Sequence, residues 1–431
     1  MGLCGREVNA LHPIYVGLSY FVVPLLYVTS VWALSRQVFR DGRVILLGVI
    51  AAAFAPSIFQ NLVDPGFLEN TAYGLFFLAA FLFYLRNGGE KAYLLLTLSL
   101  LVMAVSAGFP LVVWNLWCLP AAVFGPLLFN QQYRKLFKVR LANTGRLRVV
   151  FLVAVSCIAV VPKILIYLSH RSDFIRFGQS GTIYSLASIH PGNPWQILLT
   201  SVPGIGFRNM AGADFSSFVA AADLFWAHPN YLGLMTLPFI VFGLIWGRPL
   251  WRNFLMAMMC FLFLNVLLGS FSPLVSLILI QIPPFRAANH YFDIFYAFGG
   301  VAVLILGLQL GVDRFISRPE LRKRFVGIFA VMTVLSLGFT CFNFPERKEV
   351  MGSFTGFYFL MAIILGILFW NLATIRTKRQ ERFHYLLLMV CFLMDVSTSH
   401  WQFILKNLST MPAVNLDLKA ANGLGLVDEK I

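Results

Sequence analysis

Apolar runs broken by short polar stretches punctuate the chain from end to end. About twelve can be marked: Ile14–Leu34, Arg43–Val63, Thr71–Leu85, Ala92–Ala107, Leu111–Phe129, Leu147–Leu168, Tyr231–Trp246, Phe254–Leu268, Tyr291–Val312, Phe325–Phe344, Phe354–Ile375 and Phe383–Leu405. A helix needs ~20 apolar residues to cross hydrocarbon, and most of these runs approach that length while several fall short. The pattern predicts an all-α, polytopic transmembrane helical bundle of about twelve membrane segments, occupying residues 1–405.

Lysine and arginine orient the runs. Basic residues collect at Arg36, Arg40 and Arg43; at Arg86 and Lys91; at Arg134, Lys135, Lys138, Arg140, Arg146 and Arg148; at Arg248 and Arg252; at Arg314, Arg318, Arg322, Lys323 and Arg324; and at Arg376, Lys378, Arg379 and Arg382. These six clusters alternate with loops poor in basic residues, so all six can be cytoplasmic together. One crossing more or fewer would scatter them to both sides. The same count puts both termini outside. With no signal before it, an outside amino terminus suggests a chain lacking a first crossing and first external loop. Residues 406–431 then read as an external tail, the opening of a further external domain.

Composition agrees with lipid as the main solvent. Of 431 residues 59% are hydrophobic and 12% charged, with 43 phenylalanines. A net charge of +15 would point to nucleic acid in a soluble chain. Here the charges sit between apolar runs, which excludes a nucleic-acid face. Cys118, Cys157, Cys260, Cys341 and Cys391 lie inside apolar segments, and no Cys/His spacing suits a metal, so neither disulfide nor metal is expected. The opening "MGLCGREVNALHP" lacks the features of a signal peptide, and Arg6 stands where myristoylation wants Ser or Thr. No Walker or dinucleotide fingerprint occurs, and no cytoplasmic loop could house a nucleotide-binding domain. No cofactor is expected.

Two outer stretches are unusual. Residues 170–230 form the largest external loop, and its "NPWQILLTSVPGIGF" has the Trp, Pro and Gly content of a segment lying along the bilayer surface. Residues 272–285, "SPLVSLILIQIPPF", are apolar but too short to span. They read either as a half-helix dipping in from outside or as an interfacial helix.

Ionisable groups at membrane depth are costly and mark candidate chemistry. Arg286 follows a double proline on the outer side, with His290 four residues on and Asp293 at the head of the next helix. The Arg286 guanidinium suits a lipid-linked phosphate, and Asp293 reads as its structural partner. Arg208 in the large loop and Lys163 after Pro162 face the same compartment and could neutralise a phosphate; snorkelling is the plainer account of Lys163. Asp64 and Glu69, in the short outer loop "DPGFLEN", are the carboxylates available to deprotonate an acceptor hydroxyl, though acids at helix ends are usually structural. Asp395, with His400, lies in the weakest apolar run and reads as the point where that helix leaves the bilayer.

The segments "NALHPIYVGLSYFVVPLLY", "NPWQILLTSVPGIGF" with "YLGLMTLPFIVFGLI", and "LIQIPPFRAANHYFDIFYAFGGVAVLILGLQL" resemble the bacterial YfhO-type membrane protein family. That family looks like the C-type (GT-C) glycosyltransferases, which take a sugar from a polyprenyl-phosphate carrier at the outer face and attach it to a surface polymer or other acceptor. The resemblance implies a GT-C-like fold in a bacterial plasma membrane, with membrane lipid, a polyprenyl-phosphate-linked sugar and a cell-envelope polymer or glycolipid as partners. It also implies donor-phosphate binding by Arg286. The family's Arg-x-Pro-x-Arg corresponds here to Arg286-Ala-Ala-Asn-His290, so only the first arginine is kept and His290 is a weaker cation at neutral pH. The family's catalytic acid belongs to a first external loop expected to be missing here, leaving Asp64 or Glu69 as substitutes. The alternatives are a transporter or flippase of a lipid-linked saccharide, whose outer cationic pocket would look the same, and a non-catalytic fragment or subunit.

Overall fold

A computed structural model describes residues 8–54, 65–106, 122–128, 130–169, 233–262, 291–343, 348–375 and 377–410. Among the described residues every regular element is helical and none is a strand. In chain order they are α1 (Val8–Val38), α2 (Gly42–Ala53), α3 (Pro65–Asn87), α4 (Glu90–Ser106), α5 (Gln131–Thr144), α6 (Arg146–Ser169), α7 (Thr236–Trp246), α8 (Pro249–Leu262), α9 (Tyr291–Ser317), a 3-10 turn (Pro319–Leu321), α10 (Arg322–Asn343), α11 (Lys348–Thr374) and α12 (Lys378–Thr410). A further helical stretch covers 122–128.

The all-helical class agrees with the pattern of apolar runs. Among the described residues one helix is long and apolar enough to cross a membrane, over Phe21–Val38 with mean hydropathy 1.3. By length and composition a buried core helix or a signal sequence would qualify equally. Gly42–Ala53 and Thr236–Trp246 are also apolar but only 12 and 11 residues long, well under a full crossing. One helix falls in a stretch expected to be a loop. It is α5, started by Asn130, whose Oδ1 accepts the Tyr133 N–H at 2.9 Å, and stopped by Gly145 at φ 76°. Helix α12 runs to Thr410, past the limit at residue 405 expected for the membrane domain.

Burial along α1 recurs at Val23, Tyr27, Val31, Leu34 and Val38, the spacing of one helical face. The outer face is no less apolar, with Phe21 70% and Leu25 55% exposed. Exposed Leu94, Ile158, Val334, Phe359, Trp370 and Leu386 repeat this on other helices. A water-soluble bundle would carry charge on those faces.

Two devices hold the interior. Helices α7 and α9 touch at glycine, Gly243 against Gly307 and Gly311. A Cβ on Gly311 would sit 2.6 Å from the carbonyl carbon of Phe239 and 2.9 Å from its Cα, so glycine is what permits the approach. Beside this contact Phe239, Phe315, Phe325 and Phe369 tie α7, α9, α10 and α11 into one aromatic knot, with Phe239 stacked on Phe325 at 4.2 Å. The second device is polar. Fully buried Gln309 accepts from Ser35 Oγ at 3.0 Å and donates from Nε2 to the Val44 carbonyl at 3.0 Å, joining α1, α2 and α9.

All six basic clusters meet at one end of the bundle. Arg86 donates to the Gln37 carbonyl at 2.6 Å, and Arg140 donates to the carbonyls of Leu85 and Arg86, both at 2.9 Å. Arg43 lies over the Tyr385 ring at 4.8 Å, and Arg322 bonds the Leu372 carbonyl and the Glu381 carboxylate. Arg248 pairs with Asp313, donating from Nη2 to Oδ1 at 3.1 Å with Nε 3.0 Å from Oδ2. Helices leave this end and return to it between one cluster and the next.

Candidate functional site

The opposite end is where the sequence places its candidate donor site. Helix α9 is described from Tyr291 and ends at the basic face, so its 27 residues carry it ~40 Å away from that face. Asp293 is the third residue of this helix, at the far end. Arg286, His290 and Arg208 lie outside the described residues, as do the stretches 170–230 and 272–285. Lys163 stands in α6 directly after Pro162, also toward the far end. Asp64 lies outside the described residues. Glu69 does not belong to a loop. It is the fifth residue of α3 and half-buried, because Pro65 fits the first turn of a helix, where its missing N–H costs nothing. Among the described residues no group of His, Cys, Asp and Glu could hold a metal ion.

The best-defined ionisable group inside the bundle is one the sequence pattern misreads. Asp395 is fully buried rather than marking an exit from the bilayer. Its Oδ2 accepts the Leu234 N–H at 2.8 Å, just before α7 begins. Gly233, at φ 97°, turns the backbone under the carboxylate. A Cβ there would come 2.8 Å from Oδ2 and 3.1 Å from the Phe392 ring, so both its conformation and its lack of side chain are used. The result is a carboxylate at the amino end of a helix, where the unpaired N–H groups and the helix dipole favour negative charge.

Helix geometry fixes how deep this pair lies. Asp395 follows Glu381 of the basic end along one helix, which puts it ~21 Å from that end at 1.5 Å per residue. Helix α7 therefore starts far inside the bundle and reaches only the basic face, a short helix with its amino end turned to a buried acid. The sequence signal for this was present: an acid within "LLLMVCFLMDVSTS", and "NYLGLMTLPF" with a glycine just ahead of an apolar run.

Comparison with protein-family models, with curated proteins and with solved structures found no match.

Proposed function

We propose that the chain is a multi-pass membrane protein of a bacterial plasma membrane that transfers a sugar from a polyprenyl-phosphate donor to a cell-envelope acceptor at the outer face. In this reading the bundle crosses the bilayer about twelve times. The basic face is cytoplasmic and both termini are outside. The observation that supports it is the gathering of all six basic clusters at one end, with an apolar exterior beyond them.

Arg286, just ahead of α9, then belongs to the outer interface, where an isoprenoid phosphate resident in the outer leaflet presents its charge. Its guanidinium binds that phosphate through paired N–H donors, helped by His290, Arg208 and Lys163. Asp293 orients the arginine. The acceptor hydroxyl attacks the anomeric carbon, the bond to the carrier phosphate breaks, and the phosphate leaves with the electron pair. Asp64 or Glu69 takes the hydroxyl proton. The test is Arg286→Ala in the full chain, assayed in membranes with a polyprenyl-phosphate-linked sugar. Transfer is expected to vanish while membrane insertion is kept; unchanged transfer would reject the assignment.

One observation favours a second reading, translocation of a lipid-linked saccharide. Short helices that start inside the bundle beside an ionisable group are a feature of transporters, and α7 with Asp395 has that form. Proteoliposomes that separate lipid translocation from sugar transfer decide between the two. Loss of translocation in Asp395→Asn, with no transfer at all in the parent protein, would establish the second.

A further inference from the structure

At the basic end, helices α3, α4, α5 and α6 enclose a cavity of about 150 Å³. Its walls are almost wholly apolar, from residues such as Phe81, Leu96, Phe137 and Leu152, while Arg140 and Thr144 stand at its polar margin. The cavity lies at the helix ends: its residues fall within about two turns of the carboxy end of α3 and of the amino ends of α4 and α6. It reaches the outside between Leu141 and Val153, which line it and are 51% and 57% exposed. Within its lining the Tyr84 and Thr144 hydroxyls are in contact, and the Tyr93 hydroxyl donates to the Arg148 carbonyl at 2.7 Å.

The surface around this opening is cationic and greasy together. Helix α5 has no acidic residue and exposes Arg134, Lys135 and Lys138 beside Leu136 and Val139. The first turns of α6 add exposed Leu147, Val150 and Phe151, with Arg148 against the Tyr93 ring at 5.6 Å. A helix that mixes exposed lysine, arginine and large apolar side chains at the end of an apolar bundle has the make-up of an interfacial helix. Water alone would not stabilise that mixture, and a neutral apolar partner would leave the cations unpaired.

We propose that this cavity and the α5 surface form a binding site for an anionic glycerophospholipid of the cytoplasmic leaflet. The volume takes a few methylenes of one acyl chain, well short of a whole drug-sized ligand. The phosphate lies against Arg134 and Lys138, where each cation adds attraction for a negative headgroup, while Arg148 is already paired with Glu90, its Nη2 3.0 Å from Oε1. Arg140 is less available, because its Nε and Nη2 already hold the Leu85 and Arg86 carbonyls. The site rests on the membrane reading given above but not on sugar transfer.

The test is native mass spectrometry of the full chain in non-ionic detergent, with phosphatidylglycerol or phosphatidylcholine of matched chains added. Phosphatidylglycerol is expected to be retained about thirtyfold more tightly, from roughly 1 kcal/mol for each of the two engaged cations. Val153→Trp, which fills the mouth, and separately Arg134→Gln with Lys138→Gln on exposed positions, should each bring retention down toward that of phosphatidylcholine. Equal retention of the two lipids, full competition by inorganic phosphate, or no effect of both variants overturns the site. Alkaline extraction of cell membranes keeps the two readings apart. A chain that stays in the pellet without lipid preference refutes this inference alone, whereas a chain released by alkali refutes the membrane reading and the site with it.

Discussion

Arg322 offers the strongest test of how the basic end is built. Only 3% exposed, it donates from Nε to the Phe315 carbonyl at 3.0 Å, from Nη1 to the Leu372 carbonyl at 3.1 Å, and from Nη2 to the Ile316 carbonyl at 3.4 Å and to Glu381. Those carbonyls are among the unpaired ones at the carboxy ends of α9 and α11, where a cation is favoured. One guanidinium thus closes two helices and anchors the start of a third. Replacing it by Met leaves three carbonyls and a part-buried carboxylate without their donor, at a cost of ~3–5 kcal/mol. Lysine keeps the charge but offers its donors from a single atom, which cannot reach both helix ends, so Arg322→Lys should still cost ~1–3 kcal/mol. Glu381→Gln, with the carboxylate 28% exposed, should cost less than either. The measurement is unfolding by SDS titration in mixed micelles, followed by tryptophan fluorescence. If Arg322→Lys matched the parent, or Glu381→Gln cost as much as Arg322→Met, the account of the arginine as a double helix cap would be wrong.

Gly311→Val should destabilise by about 1–3 kcal/mol in the same titration, because the new side chain meets backbone of α7 that cannot move aside. Gly327→Ala in α10, where nothing lies within 4 Å, should instead be neutral or gain up to ~1 kcal/mol from helix propensity. Asp395→Asn keeps an acceptor for the Leu234 N–H and should fold, whereas Asp395→Leu orphans that N–H and should lose ~1–3 kcal/mol; equal stability of the two would remove the hydrogen bond from the argument. The Asp41 carboxyl is held below its usual value chiefly by the Arg43 guanidinium, which outweighs the opposing effect of burial, with the Arg43 backbone N–H at the start of α2 adding to it. Its stabilising effect is complete above the unfolded value of about 4 and is lost as pH falls through the lower folded value. The melting-temperature gap between parent and Asp41→Asn should therefore be constant near neutrality and close below about pH 4; a gap that persists into stronger acid would contradict the pairing.

Helix was legible in the sequence because apolar runs leave little alternative, and the common side of the basic clusters was legible because charge alternates with the runs. The positions of buried polar groups were not. Gln309 and Asp395 each look like a flaw in an apolar run, since a run reports hydrophobicity residue by residue and says nothing of which partner a helix face meets. Their partners, the Val44 carbonyl and the Leu234 N–H, are backbone groups far away in the chain. Backbone carries no sequence signature, so pairings of this kind cannot be read from side-chain pattern. Glycine came nearer to giving them away. Gly48 packs under the Gln309 amide and Gly233 under the Asp395 carboxylate, and in both places a side chain would occupy the polar group's space. In an apolar run, a glycine thus marks where another element comes close, and a lone polar residue elsewhere marks what comes. Pairing the two is the step sequence reasoning omitted, and it is the step that turns Asp395 from a helix exit into a buried acid facing the amino end of α7.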